Sequence, residues 1–152
     1  MRVDFYQLGA SPIEQVIASL AGKLLGDGEQ LLIVAEDDAL LARLDRALWD
    51  QGATDFLPHG VAGGAEDSRQ PVLLSPTADP SNLARNMIIA DGKWREAALG
   101  FNRAFYLFDS STVDEARSAW RSLAGRDGVE RHYWTQENGR WAEKARDTAT
   151  SG

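Results

Sequence analysis

Cysteine is absent from this 152-residue chain, which excludes disulfides, thiolate nucleophiles and cysteine-ligated metals. Histidine is nearly absent too. With only His59 and His132, a zinc centre would have to be completed by carboxylates. No apolar run approaches the roughly 20 residues that a membrane span requires. The opening Met1-Arg2-Val3-Asp4-Phe5 has no basic segment leading into an apolar one, so no secretory leader is expected. These absences point to a cytoplasmic protein with no membrane contact. Glycine signatures are missing as well. Gly22-Lys23 and Gly92-Lys93 lack both the spaced preceding glycine and the following Ser or Thr of a phosphate-cradling loop. Leu8-Gly9-Ala10-Ser11 lacks the further glycines of a dinucleotide fingerprint, and no G-x-S-x-G nucleophile elbow occurs. No cofactor is expected, and the chain does not read as an enzyme.

Positive charge is also scarce. The chain carries 16 Lys and Arg against 23 Asp and Glu, a net charge of −7. That argues against a dedicated nucleic-acid binder, because neutralising phosphates drives such association. The deficit is uneven: residues 1–92 hold 6 basic against 14 acidic residues, and residues 93–152 hold 10 against 9. A site for an anionic partner is therefore to be sought in the last third.

Apolar material is present in quantity: 43% of residues are hydrophobic and five are Trp. A chain of this length makes one domain, able to bury roughly two-thirds of its unfolded surface. Val3–Leu8 reads as a strand. Ser11-Pro12-Ile13-Glu14 offers a cap, a proline at the first helical position and a capping-box glutamate. Ile13, Val16, Ile17, Leu20, Ala21, Leu24 and Leu25 then recur at helical spacing. Gln30–Ala35 is a short continuous apolar run, as in a strand covered on both faces. Glu36-Asp37-Asp38 begins a second helix that ends by Gly52. Further strands are predicted at Val72–Ser75, Met87–Ala90 and Ala104–Phe108, and helices over Lys93–Asn102 and, capped by Thr112-x-x-Glu115, to about Leu123. A hairpin of His132–Thr135 and Arg140–Ala142 is predicted about the turn sequence Glu137-Asn138-Gly139. The alternation implies a single three-layer α/β domain with a mostly parallel central sheet over residues 1–146. Residues 147–152, small and polar, read as a frayed tail.

Few residues suggest chemistry. Glu36, Asp37 and Asp38 follow a buried strand, where open α/β sheets place ligands, so a divalent-metal enzyme is one reading. The other is that acids at a helix N-terminus cap it and offset its dipole. Gly60-Val61-Ala62-Gly63-Gly64 reads as a surface turn rather than a phosphate loop. His59 has no nucleophile or orienting acid near it in sequence and reads as structural.

Binding features are clearer. In the second helix Leu40, Leu41, Leu44, Ala47 and Leu48 share a face, with Trp49 about 140° from the centre of that stripe and Phe56 in the loop beyond. In the last helix Arg117 and Arg121 lie one turn apart beside Trp120. Arg next to Trp is a pairing common at interface hot spots, the fork for a carboxylate and the ring for an apolar side chain.

The order of several motifs carries a resemblance. Asp4-Phe5-Tyr6, Leu44-Asp45-Arg46-Ala47-Leu48-Trp49, Phe56-Leu57-Pro58-His59, Pro71-Val72-Leu73-Leu74, Ala116-Arg117-x-x-Trp120-Arg121 and Tyr133-Trp134…Gly139-Arg140-Trp141 resemble the chi subunits of the bacterial DNA polymerase III clamp-loader assembly. The resemblance implies an α/β fold like that of mononucleotide-binding domains but without a nucleotide site. It also implies a non-catalytic adaptor in DNA replication. Its partners would be the acidic C-terminal tail of single-stranded DNA-binding protein, which ends in a phenylalanine carboxylate, and the psi subunit or another clamp-loader component. DNA would be met only indirectly. Carried over by position, the tail pocket would have Trp49 and Phe56 on one side and Arg117, Trp120 and Arg121 on the other. Where some chi proteins carry a further basic residue in the first turn of the last helix, this chain has Val113-Asp114-Glu115. Direct binding of single-stranded DNA through exposed tryptophans is a third reading, and it predicts steep salt dependence.

Overall fold

A computed structural model describes residues 1–49, 59–64 and 67–147. One eight-stranded sheet forms the middle layer. Its strands are β1 (Arg2–Gln7), β2 (Leu31–Val34), β3 (His59–Val61), β4 (Val72–Ser75), β5 (Asn86–Ile89), β6 (Arg103–Phe108), β7 (Glu130–Glu137) and β8 (Arg140–Asp147). They lie in the order β3-β4-β2-β5-β6-β1-β7-β8. Every pairing is parallel except β7 with β8. Three helices cover the sheet: α1 (Ile13–Gly26), α2 (Asp38–Trp49) and α3 (Val113–Ser122).

The pleat divides the core in two. Because successive side chains point to opposite faces, Ile33, Leu74, Ile88, Phe105 and Tyr6 pack with α1 and α2. Their neighbours Leu32, Leu73, Met87, Tyr106 and Phe5 pack with α3. The four residues of β2 are all buried, as their continuous apolar run implies. Thus α1 and α2 lie on one face, and α3 on the other.

Several local expectations are corrected. Gly60 and Val61, read as the start of a surface turn, belong with His59 to an edge strand. Lys93–Asn102 is not an α-helix; only Glu96–Gly100 coils, as a 3-10 turn. Gly92 there has φ 72° and Arg95 folds back to Asp91 at 2.8 Å, which holds the segment in a turn. The capping boxes do not form either. Ser11 Oγ accepts from Gln136 Nε2 at 2.8 Å, and Pro12 takes the cap position of α1 without a side-chain bond. Thr112 Oγ1 accepts from the Asp109 amide at 3.0 Å, and Glu115 accepts from the Trp94 amide at 3.3 Å. The hairpin forms about Asn138 (φ 52°) and Gly139 (φ 76°), as a two-residue turn with left-handed central residues requires. It is longer than expected, and Asp147, assigned to the tail, pairs with Arg131 at 2.8 Å.

Candidate functional site

Along one flank of α3, Arg117, Trp120 and Arg121 line a hollow of about 240 Å³ with Tyr133 of β7 and Ala145 of β8. The helical repeat brings positions 117, 120 and 121 to one side. Small residues on the inner side, Ala116 and Ala119, let the helix lie close to the sheet. Trp120 is fixed from three directions. Phe5 meets its ring edge-on at 5.1 Å, Tyr133 does so at 5.8 Å, and the Arg131 guanidinium lies over it at 4.1 Å. Arg131 also donates to the Trp120 carbonyl and pairs with Asp147. Tyr133 donates its hydroxyl to Gln7 Oε1 at 2.7 Å. Burial raises the Tyr133 pKa, and the nearby Arg117 charge offsets part of that rise.

The volume suits one side chain rather than a drug-sized ligand, and its rim carries two guanidiniums. Of the two acids in the first turn, Glu115 is turned away to Trp94. Asp114 stands in solvent 3.8 Å from Arg117 and is the one that competes for it. Tyr133, Ala145 and Arg131 were not identified as site residues from the sequence. The signal was present in β7, where strand alternation puts Arg131 and Tyr133 on one face, against Trp120 of α3.

Trp49 does not join this group. It is 56% exposed, at the end of a helix whose leucines pack into the opposite layer, and its ring contacts His59 at 4.9 Å. His59 lies in β3 at one end of the sheet, whereas Trp120 sits over β1 and β7. Six strand spacings separate β3 from β7, about 29 Å at roughly 4.8 Å each. The two-sided pocket drawn from the resemblance therefore resolves into two surfaces. Phe56 lies outside the described residues.

The cleft at the carboxyl ends of the strands, about 370 Å³, includes Asp37, Arg43, Asp91, Lys93 and Asp109 in its lining. Its acids are engaged. Asp91 binds Arg95 and the amides of Glu36 and Lys93. Burial alone would raise its pKa, but those donors outweigh burial and lower it. Glu36 pairs with Lys93 at 2.9 Å, and Asp37 caps α2 by accepting from the Ala39 amide at 2.9 Å. Among the described residues no cluster of His, Asp and Glu is placed to hold a metal ion, and the metal-enzyme reading is not favoured. The glycine loop is likewise self-satisfied: the amides of Gly63 and Gly64 donate to Asp67 at 2.9 and 3.0 Å. His59 is buried against Asp45 at 2.9 Å, a structural role. Among the described residues no helix is long and apolar enough to cross a membrane.

Residues 1–130 match the profile of the family described as DNA polymerase III chi subunit, HolC. The chain belongs to that family. Among curated relatives, the DNA polymerase III subunit chi of Escherichia coli is 33% identical over 82 residues, covering 54% of this chain and 56% of that protein. The subunit chi of Pseudomonas aeruginosa is 37% identical over 84 residues, 53% and 58% of the two chains. That of Haemophilus influenzae is 26% identical over 77 residues, 51% and 54%. The chain thus spans a little over half the length of the chi subunits it matches. The profile stops at 130, so Tyr133 and Ala145, the floor of the α3 hollow, lie beyond it.

Proposed function

We propose that this chain is a replication accessory adaptor that takes the acidic C-terminal tail of single-stranded DNA-binding protein into the α3 hollow and links it to the polymerase III clamp-loader complex. One observation carries the reading: an apolar hollow sized for a single ring, floored by Tyr133 and rimmed by Arg117 and Arg121. A terminal phenylalanine would enter against Trp120 and Tyr133. Its carboxylate would pair with Arg117, and the upstream acids would meet Arg121. An adaptor must hold its second partner elsewhere. The far edge of the sheet, where Trp49 and Val61 are 56% and 45% exposed, offers a surface on which psi or another clamp-loader component could sit without displacing the tail.

The test is a fluorescent acidic peptide ending in Pro-Phe. It should bind, and Arg117→Ala should weaken it by about 1–3 kcal/mol, while Trp49→Ala leaves the affinity within about twofold. Absence of binding at low salt, or indifference to Arg117→Ala, would rule out this assignment of the hollow.

A further inference from the structure

On the opposite face, a groove of about 490 Å³ runs between α1 and the β7–β8 hairpin. One end is aromatic. Trp134 is flanked by Tyr6 at 6.1 Å and 12° and by His132 at 6.5 Å and 21°, Trp141 meets Tyr6 edge-on at 4.9 Å, and both indoles are half-buried. The other end is cationic, with Arg2, Arg103 and Lys23.

The arginines are held in place from beneath. Asp4, fully buried, accepts from Arg2 Nη2 at 2.9 Å, from Arg103 Nε at 2.8 Å and from Trp134 Nε1 at 3.0 Å. About a third of each arginine side chain is exposed while none of Asp4 is. What reaches solvent is therefore arginine side chain, not carboxylate. Arg103 also lies 4.4 Å from the Phe105 ring. The nearest rim acid is Glu130, 4.0 Å from Arg2, which His132 already engages; Glu143 is engaged by the other nitrogen of the same ring. Lys23 is exposed in the last turn of α1. The groove is thus a local positive site on a chain of net charge −7.

We propose that this groove holds a short stretch of single-stranded nucleic acid, with bases packed against Trp134 and Trp141 and the connecting phosphates on Arg2, Arg103 and Lys23. Fixed guanidiniums beside half-buried aromatic rings suit such strands, since every base has a π-face and every link a phosphate. An acidic peptide fits less well. The groove is twice the volume of the α3 hollow and is lined by polar and aromatic groups together, where a lone apolar side chain would leave cations and hydroxyl unmatched. Because α1 and α3 lie on opposite faces, a strand here and a peptide at α3 would not compete. The proposal stands apart from the tail reading and does not depend on it.

A labelled oligothymidylate of about ten nucleotides, titrated by anisotropy with the intact chain, tests this. Binding should weaken as salt is raised. Lys23→Glu, at an exposed position, should weaken it by about fivefold and flatten the salt dependence. Trp141→Leu should weaken it by about tenfold, and Arg117→Ala should leave it unchanged. The inference is overturned if the oligonucleotide does not bind at low salt, or if Lys23→Glu has no effect. It is equally overturned if Arg117→Ala abolishes the binding, or if Lys23→Glu weakens the acidic peptide instead. Trp141 is partly buried, so if Trp141→Leu unfolds the chain the Lys23 variant alone decides.

Discussion

Asp4→Asn is the most informative single change in the fold. The carboxylate has no exposed surface and accepts from two guanidiniums and an indole at 2.8–3.2 Å. An amide nitrogen in place of one oxygen would face donors and leave at least one guanidinium bond unmade. Bonds to a charged group contribute about 1.5–3 kcal/mol each, and breaking a buried ion pair costs about 3–5 kcal/mol. The arginines are a third exposed and can recover hydration, so the loss should be about 2–4 kcal/mol. The pH dependence has a definite sign. Burial would raise the Asp4 pKa, but Arg2, Arg103 and Trp134 outweigh it and hold the carboxyl below its ordinary value. A depressed folded-state value stabilises above the unfolded pKa, about 3.9, and that contribution fades as pH falls through the folded value. Denaturant unfolding of the two proteins should therefore give a constant gap from about pH 7 to pH 5 that closes below about pH 4. A loss under about 1 kcal/mol at pH 7, or a gap that persists on acidification, would refute the account.

Arg131→Met should remove the cation over Trp120 and the bond to its carbonyl, costing about 1–2 kcal/mol of stability and weakening the acidic peptide about threefold or more, read by unfolding and anisotropy on the same protein. Unchanged peptide affinity would show that Trp120 needs no such support. Gly92→Ala should cost about 2–4 kcal/mol, because Gly92 sits at φ 72° and a Cβ there would lie 2.6 Å from the Thr112 side chain; thermal unfolding measures it.

Much of the fold was legible because burial writes itself into periodicity. The run at 31–34 admits only a strand covered on both faces, and the leucines of α2 fall on one stripe. The misses share a cause: tertiary partners that no local pattern declares. Lys93–Asn102 has helical spacing, yet Arg95 is drawn to Asp91 and Trp94 packs edge-on against Tyr106 at 5.7 Å. Ser11 and Glu115 look like cap residues, but each finds a longer-range partner first, Gln136 and the Trp94 amide. The three residues of β3 are too few to show alternation, and only pairing with β4 makes them a strand.

The site was legible as residue types and not as a place. Helical spacing sufficed to put Arg117, Trp120 and Arg121 together. Nothing in the sequence says which face of a sheet a helix covers, and Trp49 was joined to them on position alone. Face follows from the connections: α2 and α1 pack on the side of Ile33 and Phe105, α3 on the side of Leu32 and Tyr106. The same alternation divides the hairpin. Tyr133 turns to α3 and floors the hollow, while Trp134, one residue later, turns to α1 and walls the groove. A one-residue slip of β7 against β1 would exchange the two, emptying both sites at once. The pairing of Tyr133 with Phe5 and Trp134 with Tyr6 is therefore the one register on which the peptide hollow and the cationic groove both depend.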